Sequence, residues 1–184
     1  GISSWSGAST EGRRAALPAA LLAAALLATL PAAAAAAPVP QRVVSINLCT
    51  DQLALLIAAP GQIAALTDLA RDPAMSALSA AAAAYPATHG RAEEVYLLAP
   101  DLVLAGAYTD RATVSMLQRL GVRVEIFPAG EGVAEMRASV TRMCELLGQP
   151  ARAAALLAEF DAGLAAITPA PGAPRATVYG PGGY

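Results

Sequence analysis

Residues 91–105 read Arg-Ala-Glu-Glu-Val-Tyr-Leu-Leu-Ala-Pro-Asp-Leu-Val-Leu-Ala. The first part predicts a short helix from Ala92 that breaks at Pro100, because a proline disfavours helical backbone at the residue before it. The continuous apolar run at 102–105 is typical of a strand that is buried on both faces. A helix that leads directly into a buried strand indicates a parallel sheet, since parallel strands need a crossover connection between them.

The same alternation of strands and helices extends over most of the chain. Apolar runs predict strands at 42–46, 63–66, 102–105 and 122–127. Helical periodicity predicts helices at 51–59, 74–84, 111–120, 133–147 and 151–167. The sequence therefore predicts an α/β fold in which helices flank both faces of a four-stranded parallel sheet with right-handed crossovers. A further short strand is predicted at 176–179, after a proline-rich stretch.

The first 37 residues have the pattern of an export signal. Arg13 and Arg14 precede an apolar run at 15–30, and small residues follow at 32–37. A membrane-spanning helix is the alternative, but the run is shorter than the roughly 20 residues a bilayer needs and contains Pro18. We expect a cleaved signal at 1–37 and a periplasmic protein that is not membrane-anchored, because no cysteine at the cleavage region could carry a lipid.

Composition excludes several classes of function. The 184 residues carry a formal net charge of -2, so the chain lacks the basic field of a nucleic-acid-binding protein. All 12 basic residues are arginine. The absence of lysine excludes a Walker-type phosphate loop, a Schiff-base enzyme and a Ser-x-x-Lys acyltransferase, since each of these needs an amine at a fixed place.

Ligands of open parallel sheets lie beyond the carboxyl ends of the strands. Residues of the loops at these ends are therefore candidates for ligand binding: Asn47, Cys49, Thr50, Asp68, Tyr108 and Thr109. Each has a structural alternative, since Asn47 and Thr50 are also typical helix caps. Cys49 and Cys144 are the two cysteines, and they form either a disulfide or two separate thiols that behave as small apolar side chains.

Three segments resemble a known family. Residues 42–53 (Arg-Val-Val-Ser-Ile-Asn-Leu-Cys-Thr-Asp-Gln-Leu), 92–104 and 120–127 resemble the periplasmic substrate-binding proteins of ABC importers for iron-siderophore and cobalamin complexes. The resemblance implies two α/β lobes joined by one long helix, with the ligand between the lobes. It assigns residues 38–149 to the amino-terminal lobe, 150–168 to the interlobe helix, and 169–184 to the start of a carboxyl-terminal lobe that is otherwise truncated.

The resemblance also implies a binding function in which the protein catalyses no reaction. The protein would be a monomer that captures a ferric siderophore, a cobalamin or a haem and delivers it to the membrane permease, with no cofactor of its own. One histidine with scattered carboxylates also lacks the ligand spacing of a protein-built metal site. Glu93 stands where this family carries a permease-docking glutamate, although two acids in a first helical turn are also simply favourable. The alternatives are an exported α/β hydrolytic enzyme and a non-functional truncated remnant.

The resemblance suggests roles for the aromatic and histidine side chains. His89 is the only histidine, and it is either a cleft contact, an axial ligand for a corrin or porphyrin, or a plain surface residue. Tyr108 and Tyr85 could each offer an aromatic face to a flat ligand, whereas we expect Tyr96 to lie in the core.

Overall fold

The computed structural model describes residues 1, 38–130, 132–168, 172 and 177. The chain divides into two units, Gly1–Ala37 and Pro38–Tyr184, and the described helices and strands lie in the second. The export signal predicted at 1–37 and, apart from Thr177, the strand predicted at 176–179 lie outside the described residues. In the described part of the chain, no helix combines the length and the apolar character that crossing a membrane requires.

The lobe is built on one parallel sheet. Its strands are β1 (Val43–Ser45), β2 (Ile63–Thr67), β3 (Ala87–Thr88), β4 (Leu102–Gly106) and β5 (Val124–Phe127), in the order β3-β2-β1-β4-β5. Each neighbouring pair is parallel, which confirms the predicted α/β class. The prediction of four strands was wrong by one: β3 has only two residues, which is too short for an alternating pattern to reveal.

Among the described residues, six helices flank the sheet. They are α1 (Leu48–Ile57), α2 (Ser79–Ala82), α3 (Ala92–Leu97), α4 (Arg111–Arg119), α5 (Val133–Leu146) and α6 (Pro150–Ala165), and a 3₁₀ turn spans Asp68–Arg71.

The long helix predicted at 74–84 was wrong, because only its residues 79–82 are helical. Asp72 Oδ1 accepts a hydrogen bond from the Ala74 amide at 2.8 Å, and Ser76 Oγ accepts one from the Leu78 amide at 3.2 Å. These side chains compete with backbone carbonyls for the amide hydrogens, and the competition keeps the segment in turns despite its alanine content.

The core lies on both faces of the sheet, as alternating side chains along the strands require. Leu102 and Leu104 of β4 pack with residues of α1, α5 and α6 on one face. Val103 and Ala105 pack with residues of α3 and α4 on the other. Tyr96 was expected in this core but is 47% exposed, because α3 turns Ala92 and Val95 toward the sheet instead.

Asp101, in the Pro-Asp-Leu-Val segment, ties the beginnings of two strands together. Its carboxylate accepts hydrogen bonds from the backbone amides of Gln41 and Arg42, at 2.6 and 2.9 Å. These residues directly precede β1, and Asp101 directly precedes β4. The motif therefore anchors β1 beside β4 at the end of the sheet opposite to the loops predicted to bind a ligand.

Candidate functional site

A groove with a volume of about 380 Å³ runs along the carboxyl ends of β1 to β4, and we call it the strand-end groove. Its size falls within the range of small-molecule sites. Five of the seven predicted ligand-binding residues line it: Asn47, Asp68, His89, Tyr108 and Thr109. Arg91 and Asp110, which were not predicted as ligand contacts, line it as well.

Cys49 and Thr50 lie elsewhere. They line a second hollow of about 260 Å³ together with Phe127, Pro128 and residues of α5. Thr50 is fully buried, and its hydroxyl donates to the Asn47 carbonyl oxygen at 2.9 Å and lies 2.8 Å from Ser45 Oγ. These bonds give Thr50 a structural role at the start of α1.

Both cysteines are free thiols. Cys49 is exposed at the start of α1, whereas Cys144 is buried in the core on the α5 side of the sheet. Burial raises the pKa of the Cys144 thiol, which keeps it protonated and apolar in character. Of the two alternatives considered for the pair, the structure thus has separate thiols.

Asn47 closes the end of β1 and opens α1. The helix begins at Leu48, and Asn47 is its N-cap, with the side-chain oxygen accepting from the Cys49 amide at 3.0 Å. Asn47 also packs against the end of β4: a Cβ at Gly106 would lie 2.5 Å from Asn47 Nδ2. Only glycine at position 106 allows this approach, so the two loops at the centre of the sheet are held in direct contact.

The loop after β4 is held by its own side chains. Thr109 Oγ1 accepts a hydrogen bond from the Gly106 amide at 2.9 Å. Asp110 caps α4 by accepting from the Thr113 amide at 2.8 Å, and this bond lowers the pKa of Asp110. Tyr108, between them, is 87% exposed, which leaves its aromatic ring free at the edge of the groove.

His89 is held by the carboxylate of Glu94, which is not among the predicted site residues. Glu94 Oε1 lies 3.2 Å from His89 Nδ1, while Oε2 accepts from the His89 amide at 2.9 Å and from Thr88 Oγ1 at 3.1 Å. The bond from the His89 amide is the main cause that lowers the pKa of Glu94. A sequence signal existed, since a glutamate at the third position of a helix often reaches back to amides before the helix.

The other two candidates are divided between core and surface. Tyr85 is half-buried against the core on the α1 side, and it is absent from the residues that line the strand-end groove. Glu93 is exposed in the first turn of α3 and borders a neighbouring groove of about 340 Å³, which shares Arg91 and Asp110 with the strand-end groove.

Asp51 is a second carboxylate that the sequence analysis did not single out as functional. It is fully buried in the first turn of α1, and its Oδ2 accepts a hydrogen bond from Thr67 Oγ1 at 2.5 Å. Burial raises the pKa of Asp51, and hydrogen bonds from Ser45 and Thr67 only partly offset that effect. Asp51 thereby connects α1 to Thr67 at the end of β2. Asp68, which lines the strand-end groove, is the next residue along the chain.

We expect Gly106→Ala to destabilise the protein by about 1 to 2 kcal/mol, because the new methyl group displaces the Asn47 cap of α1. In an Asn47→Ala background the same substitution costs much less, since the side chain it would strike is gone. Urea denaturation of the two single variants and the double variant measures this coupling. Gly163→Ala is the control: it lies in α6 with open space around it and is expected to stabilise. Equal penalties in both backgrounds would disprove the contact.

We expect Asp51 to make stability fall as pH rises. Its folded-state pKa lies above the ordinary value of 3.8, so the folded state binds the proton more tightly than the unfolded state does. The stabilising contribution is complete below pH 3.8 and is lost as pH rises through the folded-state pKa. Asp51→Asn removes this dependence. The unfolding free energy of the wild type, measured relative to that of the variant at the same pH, should therefore fall steadily as pH rises over that window. Parallel pH profiles from urea denaturation would contradict the expectation.

No protein-family model and no curated protein matches the chain. Solved structures do match, and periplasmic binding proteins are among them. A haem-binding protein from Pseudomonas aeruginosa is 22% identical with a TM-score of 0.59, covering 68% of this chain and 45% of that chain. The haem-binding protein BhuT in complex with two haems is 28% identical with a TM-score of 0.53, and the match covers 66% of this chain and 46% of BhuT. The vitamin B12-binding protein BtuF of Vibrio cholerae is 14% identical with a TM-score of 0.56, and the match covers 69% of this chain and 49% of BtuF.

This chain spans about half the length of the solved proteins it matches. The matched part contains a five-stranded parallel sheet flanked by helices. A parallel sheet flanked by helices is the α/β lobe that the sequence resemblance implied. The chain thus has the fold of one lobe of the periplasmic binding proteins for haem and vitamin B12.

Proposed function

We propose that this chain is the amino-terminal lobe of a periplasmic binding protein that captures haem and delivers it to an ABC permease. The observation that carries the proposal is His89, the sole histidine, which lines the strand-end groove with 67% of its side chain exposed and its ring tethered to Glu94. Haem is also the ligand named for two of the similar solved proteins. The predicted export signal supports a periplasmic location.

The chemistry of the groove favours haem over the other two chelates. Haem iron has open axial positions that accept an imidazole nitrogen, whereas the iron of a ferric siderophore is already enclosed by its chelator. Cobalamin also takes an axial imidazole, but its side chains are amides, while those of haem include two carboxylates. Arg91 lines the same groove and can pair with a carboxylate through two parallel hydrogen bonds. Tyr108 supplies an exposed aromatic ring for a flat macrocycle.

The remaining polar groups of the groove support a binding surface. The side chains of Asn47, Asp110 and Thr109 are each used in a cap or a loop hydrogen bond. Groups engaged in this way keep the loops at the strand ends in place. A preformed surface loses little conformational entropy when a rigid ligand binds, which increases affinity.

Delivery to the permease is assigned to Glu93. Its exposed carboxylate lies in the first turn of α3, five residues along from Thr88 at the end of β3. A charge-assisted bond to an arginine of the permease would set the orientation of docking.

We expect His89→Ala to weaken haem binding at least tenfold, because the variant lacks the axial nitrogen. Titration of the purified protein with ferric haem, followed by the Soret absorbance, measures the affinity and reports the axial ligand. His89→Tyr is the matched variant: it should retain binding with the spectrum of a phenolate ligand. Unchanged affinity in His89→Ala would refute the axial role, and tighter binding of cobalamin or of a ferric siderophore would refute the choice of haem.

We expect Glu93→Ala to leave haem affinity unchanged and to slow haem uptake by cells that carry the permease, because the carboxylate serves docking alone. Glu145→Ala, which removes an exposed carboxylate from α5, is the control and should leave uptake unchanged. Loss of haem affinity and uptake in equal measure would contradict the docking role.

A further inference from the structure

We infer that Glu94 is a positioning residue that fixes His89 in the Nδ1–H tautomer, so that the unprotonated Nε2 is the ring's ligand atom for iron. The inference rests on the proposed function for the identity of the ligand. The tautomer itself follows from contacts within the lobe, and it can be measured without any haem.

Three hydrogen bonds around one carboxylate determine the tautomer. Glu94 Oε1 faces His89 Nδ1 at 3.2 Å, and Oε2 receives the His89 amide and the Thr88 hydroxyl. Ionised carboxylate oxygens only accept hydrogen bonds, so the nitrogen that faces Oε1 must carry the hydrogen. A neutral imidazole has one N–H, and Nε2 is therefore left with its lone pair.

The backbone beneath the ring is held by the same residues. Thr88 Oγ1, which donates to Glu94, accepts from the Gly90 amide at 3.1 Å. Gly90 has a φ of +72°, and a Cβ there would meet Ile46 at 3.5 Å. The loop from Thr88 to Gly90 is thus closed by side-chain bonds on both sides of His89, and Glu94 contacts both the ring and the main chain of that residue.

This arrangement has a consequence for the iron ligand. A histidine whose second nitrogen donates to a carboxylate is a more basic and better oriented ligand, and loss of such a partner typically costs about 10 to 100-fold in affinity. A more basic axial nitrogen also favours ferric over ferrous haem, because it donates more charge to the metal.

Glu94→Gln tests the inference sharply because the structure predicts an inversion of the tautomer. The side chain of glutamine has one oxygen. We expect that oxygen at the position of Oε2, because the Thr88 hydroxyl and the His89 amide both donate hydrogen bonds there. The amide NH₂ group then faces Nδ1 and donates to it, so the ring hydrogen moves to Nε2.

The measurement is a long-range ¹H–¹⁵N correlation spectrum of the haem-free protein at about pH 9, where imidazole side chains are neutral. Because His89 is the only histidine, one set of ring signals reports the tautomer without assignment. We expect Nδ1–H in the wild type, Nε2–H in Glu94→Gln, and no change in the control Glu145→Gln. The Nε2–H form in the wild type, or the same tautomer in wild type and Glu94→Gln, would overturn the inference.

Haem titration of the same variants separates this inference from the proposed function. If both hold, Glu94→Gln binds ferric haem about tenfold or more weakly than wild type and shows a higher reduction potential. If the wild type shows the Nδ1–H tautomer but no haem binding, the proposed ligand is wrong and the positioning role of Glu94 stands. If haem binds equally well to wild type and Glu94→Gln, the positioning role is wrong and the proposed ligand stands.

Discussion

The position of β1 at the centre of the sheet is the constraint on which the rest of the lobe depends. The chain builds outward from β1 to β2 and β3 on one side, and then crosses to β4 and β5 on the other. Crossover connections therefore leave β1 and β4 in opposite directions, and a crevice opens between their carboxyl ends. Asp101 fixes the opposite ends of these two strands by accepting hydrogen bonds from Gln41 and Arg42. The strand-end groove follows from this topology before any ligand is considered.

The crevice is narrowed by close packing at its base. Gly106 of β4 and Asn47 after β1 approach so closely that position 106 has no room for a side chain. Asn47 is also the N-cap of α1, so one side chain both packs against the end of β4 and begins the helix. The buried Asp51 adds a connection from the same helical turn to Thr67 at the end of β2. One turn of α1 thus organises three of the strand ends that border the groove.

The sequence predicted those parts of the fold that depend on periodicity, and it failed where individual side chains decide. The runs of β1, β2 and β4 place apolar side chains in the core on both faces of the sheet, β5 is apolar at three of its four positions, and such runs are visible in the sequence. β3 was invisible because two residues carry no period, and the helix expected at 74–84 was lost to the bonds of Asp72 and Ser76 with nearby amides.

The same distinction applies to the candidate site. The rule that ligands lie at strand ends selected loops that the structure brings together, since five of the predicted side chains line one groove, and ligand binding by them stays a prediction. It could not separate Thr50, which points into a buried network, from its neighbour Asn47. Glu94 was missed because its partner is defined by the path of the backbone from Thr88 to Gly90, and that path depends on a positive φ that a sequence pattern does not display.

Helix α3 brings the two proposed activities of the lobe together. Glu93 and Glu94 are adjacent, and adjacent residues of a helix point about 100° apart, so the two carboxylates cannot serve the same surface. Glu94 turns back to His89, while Glu93 is exposed to solvent. Ala92 and Val95, which pack into the core beneath them, hold the helix against the sheet. A shift of His89 would therefore act, through its bonds to Glu94, on the helix that carries the proposed docking carboxylate.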